Sequence, residues 1–247
     1  MRAKLVGKNL ADIRPLLDAR GIEIVETNPE LIIAHGGDGT LLRAERDFPN
    51  IPKLPIRDTA TAPLCPDHAY ESQLDEFLAG KSRLAILPKI SGSFEDITVY
   101  GINDVFIHAH DRVNALRYRV RIDDELYANE IVGDGVGLAS VHGSTAYYRS
   151  ITHSLFRVGV GLAFSNSTEE VSHLVLSEKS TVEIEIVRGP AIMIADNTQD
   201  PVSIAAGGRI RLRQSDLQAR IYALKEFMCP KCRLLRHPNK LPFKGYF

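Results

Sequence analysis

Apolar and charged positions alternate most strictly between residues 116 and 123. There Leu116, Tyr118, Val120 and Ile122 interleave with Arg117, Arg119, Arg121 and Asp123. A period of two predicts a half-buried strand. Asp123-Asp124-Glu125 then turns the chain into a second strand over 126–131, giving a hairpin. The same alternation returns where Val182, Ile184 and Ile186 flank Glu183 and Glu185, and where Ile210 and Leu212 flank Arg209, Arg211 and Arg213. These segments predict a β-rich, mostly antiparallel domain over 85–223. The alternating arginines and glutamates are its solvated face rather than a basic binding stripe.

The first third of the chain follows a different pattern. Leu10, Ile13, Leu16 and Leu17 lie at helical spacing, Gly21 is a natural stop, and Pro15 predicts a late start or a kink. Ile22–Val25 and Leu31–Ala34 read as short strands. Prolines 49, 52, 55, 63 and 66 predict mostly loop with room for one short strand, and 71–78 reads as a helix ended by Gly80. The prediction is an α/β domain over 1–84, the β-rich domain over 85–223, and a tail over 224–247 that can pack back on the first domain.

With 247 residues, 44% of them hydrophobic and 25% charged, the chain has the makings of one or two globular domains. A formal net charge of −1 gives no reason to expect a nucleic-acid or membrane partner. The first residues lack an apolar leader, and three cysteines make a poor disulfide framework, so a cytoplasmic location is expected.

The candidate chemistry begins at Ala34-His35-Gly36-Gly37-Asp38-Gly39-Thr40, between an apolar strand and a helical segment. Glycines there leave backbone N–H groups open to a phosphate, and a helix N-terminus adds a favourable dipole. Asp38 is the unusual member. A carboxylate repels phosphate, so it is better suited to taking a proton or holding a metal. Further on, Asn103-Asp104 places an amide beside a carboxylate in the apolar run 100–106. The pair suits sugar hydroxyls, but taken alone it is better explained as an Asx turn at a strand start. Gly133-Asp134-Gly135 and then Gly143-Ser144-Thr145-Ala146-Tyr147 form a second glycine- and hydroxyl-rich junction leading into a helix.

Taken in order, these blocks resemble the NAD kinase family. The resemblance is densest from about Leu31 to Ser150 and weaker beyond, where Met193-Ile194-Ala195-Asp196 is similar to a later family strand ending in Asp-Gly. It implies a two-domain fold with the active site in the cleft. The implied reaction moves a phosphoryl group from ATP, or polyphosphate, to the 2′-hydroxyl of the adenosine ribose of NAD, giving NADP. Mg²⁺ or another divalent cation would assist. Asp38 matches the family's general base. Gly36, Gly37, Gly39 and Thr40 match its nucleotide loop, and Arg46 a basic position near the phosphates. Asn103 and Asp104 match the ribose-binding pair, and Asp134 an acid near the nicotinamide. Thr145, Ala146, Tyr147 and Ser150 match a segment packing on the dinucleotide. A homodimer or homotetramer is implied.

The chain also departs from that family. The stretch Leu54–Cys65 carries no glycine where the family has a glycine-rich cleft segment, and Ser140-Val141-His142 replaces Thr-Pro-Thr. These departures keep two other functions open: a nucleotide-binding sensor on a kinase-derived scaffold, and a kinase of a lipid or sugar acceptor. Separately, Cys229-Pro230-Lys231-Cys232 and Cys65-Pro66-Asp67-His68 together have the ligand number and softness for a tetrahedral structural zinc. Read apart, they are unrelated thiols and a loop histidine.

Overall fold

The computed structural model describes residues 1–111 and 113–236. It divides into two compact units, Met1–Ile86 with the chain from Ala219, and Leu87–Gln218.

In the first unit the elements run β1 (Arg2–Gly7), α1 (Leu10–Asp18), β2 (Glu23–Ile24), β3 (Leu31–His35), α2 (Asp38–Asp47), β4 (Lys53–Ile56) and α3 (Tyr70–Leu78). Four parallel strands lie in the order β2-β1-β3-β4. Leu31 and Ile33 pack with Ile13, Leu17 and Leu74 on one face, while Ile32 and Ala34 pack with Ala44 on the other. A sheet covered on both faces explains why β3 is an unbroken apolar run rather than an alternating one. Helix α1 begins at Leu10 and includes Pro15, so of the late start or kink expected at that proline, the late start does not occur. β1 leads by α1 to β2 on one side, and β3 leads by α2 to β4 on the other. The C-terminal ends of β1 and β3 therefore flank a topological switch point, where open α/β sheets bind ligands.

In the second unit the elements are β5 (Leu84–Phe94), which starts in the first, β6 (Ile97–Gly101), β7 (Asp104–Ala109), β8 (Leu116–Ile122), β9 (Glu125–Gly133) and β10 (Gly135–Ala139). There follow α4 (Tyr147–Thr152), β11 (Val160–Ser165), β12 (His173–Leu176), β13 (Thr181–Arg188), β14 (Ala191–Ala195), β15 (Val202–Ile204) and β16 (Arg209–Tyr222). Strands β12-β11-β10-β7-β14-β15 make one fully antiparallel sheet. A second layer pairs β16 with β13, β13 with β8, and β8 with β9. Tyr118, Val120, Val182, Ile184, Ile210 and Leu212 are buried in the core with Val105, Ile107 and Leu162. The intervening charges face solvent as expected: Arg119 meets Glu185 at 3.0 Å and Arg117 meets Glu130 at 3.0 Å.

After β16 the chain returns to the first unit. Ile221 pairs with Lys53, and two short helices follow, α5 (Leu224–Phe227) and α6 (Pro230–Arg236). No helix among the described residues is long and apolar enough to cross a membrane.

Candidate active site

The Gly-Gly-Asp-Gly loop lies at the switch point. Gly37 caps α2, and Asp38 is the first residue of the helix, one step further into regular structure than a loop position. Gly36 is required by close approach, since a Cβ there would lie 2.3 Å from Thr40 Oγ1. Gly7, at the end of β1, is required for the same reason: its Cβ would meet the His35 carbonyl oxygen at 1.9 Å. Beneath the loop, buried His35 contacts the Lys8 carbonyl at 2.9 Å and the Tyr70 hydroxyl at 3.1 Å, and that hydroxyl accepts from the Thr59 N–H at 2.7 Å. Asn9 donates to buried Asp58 at 2.8 Å. Three loops following three parallel strands are thus tied together.

The Asp38 side chain is 64% exposed, and its Oδ1 accepts from Arg57 Nη2 at 2.8 Å. Arg57 itself is buried. Its Nε donates to the Phe227 carbonyl at 3.0 Å, and its guanidinium stacks on the Phe227 ring with 4.0 Å to the centroid. A desolvated cation–π contact of this kind contributes about 2 kcal/mol. Arg236, in α6, is a third member of this group. Burial and the Arg57 guanidinium push its pKa below the usual arginine range, while Asp38 acts the other way. Its Nη1 is buried with no hydrogen-bond partner among the described residues. The Arg57 guanidinium therefore meets the exposed Asp38 carboxylate at the N-terminal end of α2, and the Arg236 charge is felt by both. That arrangement favours an added anion. Arg46 is not part of it. It sits eight residues on, in the last turn of α2, paired with Asp47 at 3.4 Å. Eight residues of helix amount to about 12 Å of rise.

In the second unit, Ile102 and Asn103 form the turn between β6 and β7 and Asp104 opens β7, so the pair lies at a strand start. The turn is held from two sides. Asp196, just after β14, accepts from the backbone N–H of Ile102 at 2.8 Å, Asn103 at 2.8 Å and Asp104 at 3.3 Å. Ser140 donates its hydroxyl to the Ile102 carbonyl at 2.6 Å, and its N–H to the Asn103 carbonyl at 2.8 Å. Gly143 packs directly on that turn, where a Cβ would lie 1.9 Å from the Asn103 carbonyl oxygen. The Asn-Asp and Gly-Ser-Thr blocks, forty residues apart in sequence, therefore make one surface. Burial raises the Asp104 pKa well above the ordinary carboxylate range, and the nearby Asp196 charge adds to the rise. Burial likewise pushes Asp196 up to about 6, against its three backbone donors.

Buried Tyr148 anchors α4, which leaves its neighbour Tyr147 half exposed, edge-on to Phe106 at 4.8 Å and 5.6 Å from the His108 ring. Asp134 is exposed and accepts from Asn166 at 2.8 Å. Burial lowers the His108 pKa and Asp134 partly restores it, so Asp134, His108 and Tyr147 share one neighbourhood. Thr145 and Ser150 donate their hydroxyls to nearby carbonyls, of His142 at 3.3 Å and Tyr147 at 2.7 Å.

A glycine turn at the switch point of a parallel sheet, with a separate antiparallel unit carrying a braced Asn-Asp turn, is an arrangement suited to handling a nucleotide phosphate. The comparisons agree. An NAD kinase of Sulfurisphaera tokodaii is 25% identical over the whole of both chains, and one of Polaromonas sp. is 27% identical over 83% of this chain and 74% of its own. The structure matches that of an NAD kinase from Archaeoglobus fulgidus in complex with ATP, with a TM-score of 0.73 and 21% identity over 92% and 96% of the two chains. It matches yeast NADH kinase complexed with NADH at a TM-score of 0.79 and 16% identity over 99% and 90%. No family model matches. The chain is thus similar to NAD kinases along its whole length.

Arg57, Arg236 and His108 are residues near these turns that the sequence patterns did not single out, and Asp196 was marked only by its likeness to a family strand. Arg57 had one signal: an arginine directly after the apolar strand Leu54-Pro55-Ile56, where a parallel strand ends. His108 had another, its place two residues after Phe106 on the same face of a strand.

Proposed function

We propose that the chain is an NAD kinase that transfers the γ-phosphoryl group of ATP to the 2′-hydroxyl of the adenosine ribose of NAD(H). The observation that carries this reading is Asp38. It is exposed at the N-terminus of α2 beside an anion-binding glycine turn, and its carboxylate is oriented by a buried arginine. In the proposed step the ribose 2′-oxygen attacks the γ-phosphorus, the bond from that phosphorus to the β–γ bridging oxygen breaks, and ADP leaves. Asp38 accepts the hydroxyl proton, a role worth about 10²- to 10⁴-fold in rate. The N–H groups around Gly37 and Gly39, with Arg236, hold the donor phosphates in place, while Arg57 holds the Asp38 carboxylate. Most of the acceleration in phosphoryl transfer comes from such positioning and charge stabilisation.

The second unit supplies the acceptor surface. Asn103 and Asp104 take the ribose hydroxyls, Gly143 to Thr145 back them, and Tyr147 covers the nucleoside. Asp134 lies near the nicotinamide end, as the resemblance implies. The exposed Asp38 carboxylate offers oxygen donors of the type a hard cation takes, so Mg²⁺ carried on the ATP phosphates fits this end of the loop. When bound, that ion offsets the charge on the transferring group.

The test is a coupled assay in which NADP-dependent dehydrogenase turnover reports product from NAD, ATP and Mg²⁺. NADP formation is expected. A chain that binds NAD by calorimetry and forms no NADP or NADPH with ATP or polyphosphate would overturn the reading in favour of a nucleotide sensor.

A further inference from the structure

The two short cysteine motifs meet in the first unit. Cys65, His68, Cys229 and Cys232 each offer one ligand atom, and the four atoms lie within 4.8 Å of one another. His68 Nδ1 is 3.2 Å from Cys65 Sγ and 3.4 Å from Cys232 Sγ, and the two sulfurs are 3.4 Å apart. That separation is far beyond a disulfide bond of about 2.0 Å. It is close to the edge of a tetrahedron with metal–sulfur bonds of about 2.3 Å, which is about 3.8 Å. The three cysteines are buried and unoxidised.

The two motifs are built alike. Each is a cysteine, then a proline opening a short helix, then a charged residue, then the second ligand, and the charged residues Asp67 and Lys231 pair with each other at 2.9 Å. Gln73, from α3, donates to the His68 carbonyl at 2.7 Å and steadies the histidine motif.

The position of this cluster in the chain gives it a second consequence. Cys229 follows directly after Phe227 and Met228, which provide the carbonyl, ring and sulfur that contact Arg57. Cys232 lies one helical turn before Arg236. On the other side, Cys65 closes the same loop that begins with Arg57. A bond between the two motifs would fasten both ends of the clasp that orients Asp38.

We propose that Cys65, His68, Cys229 and Cys232 bind one structural zinc ion, and that this ion fixes α5 and α6 against Arg57 and so positions Asp38. The first part stands on ligand type, number and spacing. The second rests on the proposed role of Asp38. Arg57 is then a positioning residue, and the zinc acts through it.

Zinc is measured by mass spectrometry on the purified full chain, and cobalt(II) is exchanged into the site. One zinc per chain is expected, together with cobalt–thiolate charge-transfer bands and the intense visible absorption of a tetrahedral ion. His68→Cys should keep the metal, and Cys65→Ser combined with Cys232→Ser should lose it. A chain without zinc that also gives no cobalt–thiolate absorption overturns the site, whatever its activity. Positioning is read by combining Cys232→Ser with Arg57→Ala and measuring kcat and ATP affinity. Arg57→Ala alone is expected to lower kcat about 100-fold. Cys232→Ser alone should lower it about tenfold, and the double variant should match Arg57→Ala. Losses that multiply to about 1,000-fold would refute action through Arg57. Should Cys232→Ser fail to fold, chelating zinc from the native chain supplies the metal-free arm of the same cycle. His68→Cys should retain kcat.

Discussion

Asp196 links stability to pH in a way that can be worked out from its surroundings. It is buried just after β14 and accepts three backbone N–H groups from the Ile102–Asp104 turn, yet burial still raises its pKa from 3.8 to about 6. Between those two values the folded chain holds a proton that the unfolded chain releases, so the contribution of Asp196 to stability is fully present below about pH 4 and is lost as pH rises through 6. A rise of about two units at 1.36 kcal/mol each amounts to about 3 kcal/mol. Asp196→Asn removes the ionisation, and it also removes the neighbouring charge that helps raise the Asp104 pKa, a change in the same direction. The variant should therefore gain about 3 kcal/mol relative to the native chain between pH 4 and pH 7. The assay is urea unfolding at pH 4, 5, 6 and 7 followed by far-ultraviolet circular dichroism, because the chain has no tryptophan to report by fluorescence. A native-to-variant difference that stays flat across that range would refute the reasoning.

Asp38→Asn should lower kcat by about 10²- to 10⁴-fold with NAD and ATP affinities nearly unchanged, as read by steady-state kinetics beside calorimetry. Lys53 is buried against Glu45 and also donates to the Phe48 carbonyl at 2.5 Å, so Lys53→Met should cost about 3–5 kcal/mol in urea unfolding. Replacing both members with apolar residues should recover most of that loss. Gly143→Ala puts a methyl group 1.9 Å from the Asn103 carbonyl oxygen, and should raise the KM for NAD on the order of tenfold while leaving the KM for ATP in place. Arg236→Ala should do the reverse, raising the KM for ATP about tenfold through loss of one charge-assisted contact of about 1.4 kcal/mol.

Local pattern carried the architecture well where one face of an element meets water. The hairpin over 116–131 and the strands around 184 and 210 show their burial directly in a period of two, and the structure pairs them with their charges outward. The helix over 71–78 and the lone strand among the prolines were legible for similar reasons. The late start allowed for at Pro15 does not occur, because packing of Ile13 and Leu17 keeps α1 helical on both sides of it. At the site, residues with unusual local spacing stood out, and residues whose role depends on a distant partner did not. Asp38 was visible from its glycines. Arg57 was not, since nothing in its own neighbourhood points to a carbonyl 170 positions away. Asp196 was noticed only as a weak likeness, and its hold on the 102–104 turn is a contact across 92 to 94 residues. The distant cysteine motifs are the exception: their shared metal chemistry made their meeting legible despite a separation of more than 160 residues.

The clasp on Arg57 also constrains the timing of biosynthesis. A nascent polypeptide that has released only its first 86 residues already contains the glycine turn, but it lacks the carbonyl, ring and thiols supplied after position 219. Arg57 then has no acceptor at Phe227 to hold it against Asp38. The contacts that fix Arg57 are completed only once the segment through residue 232 has been made, so a product that stops earlier carries the glycine turn without them.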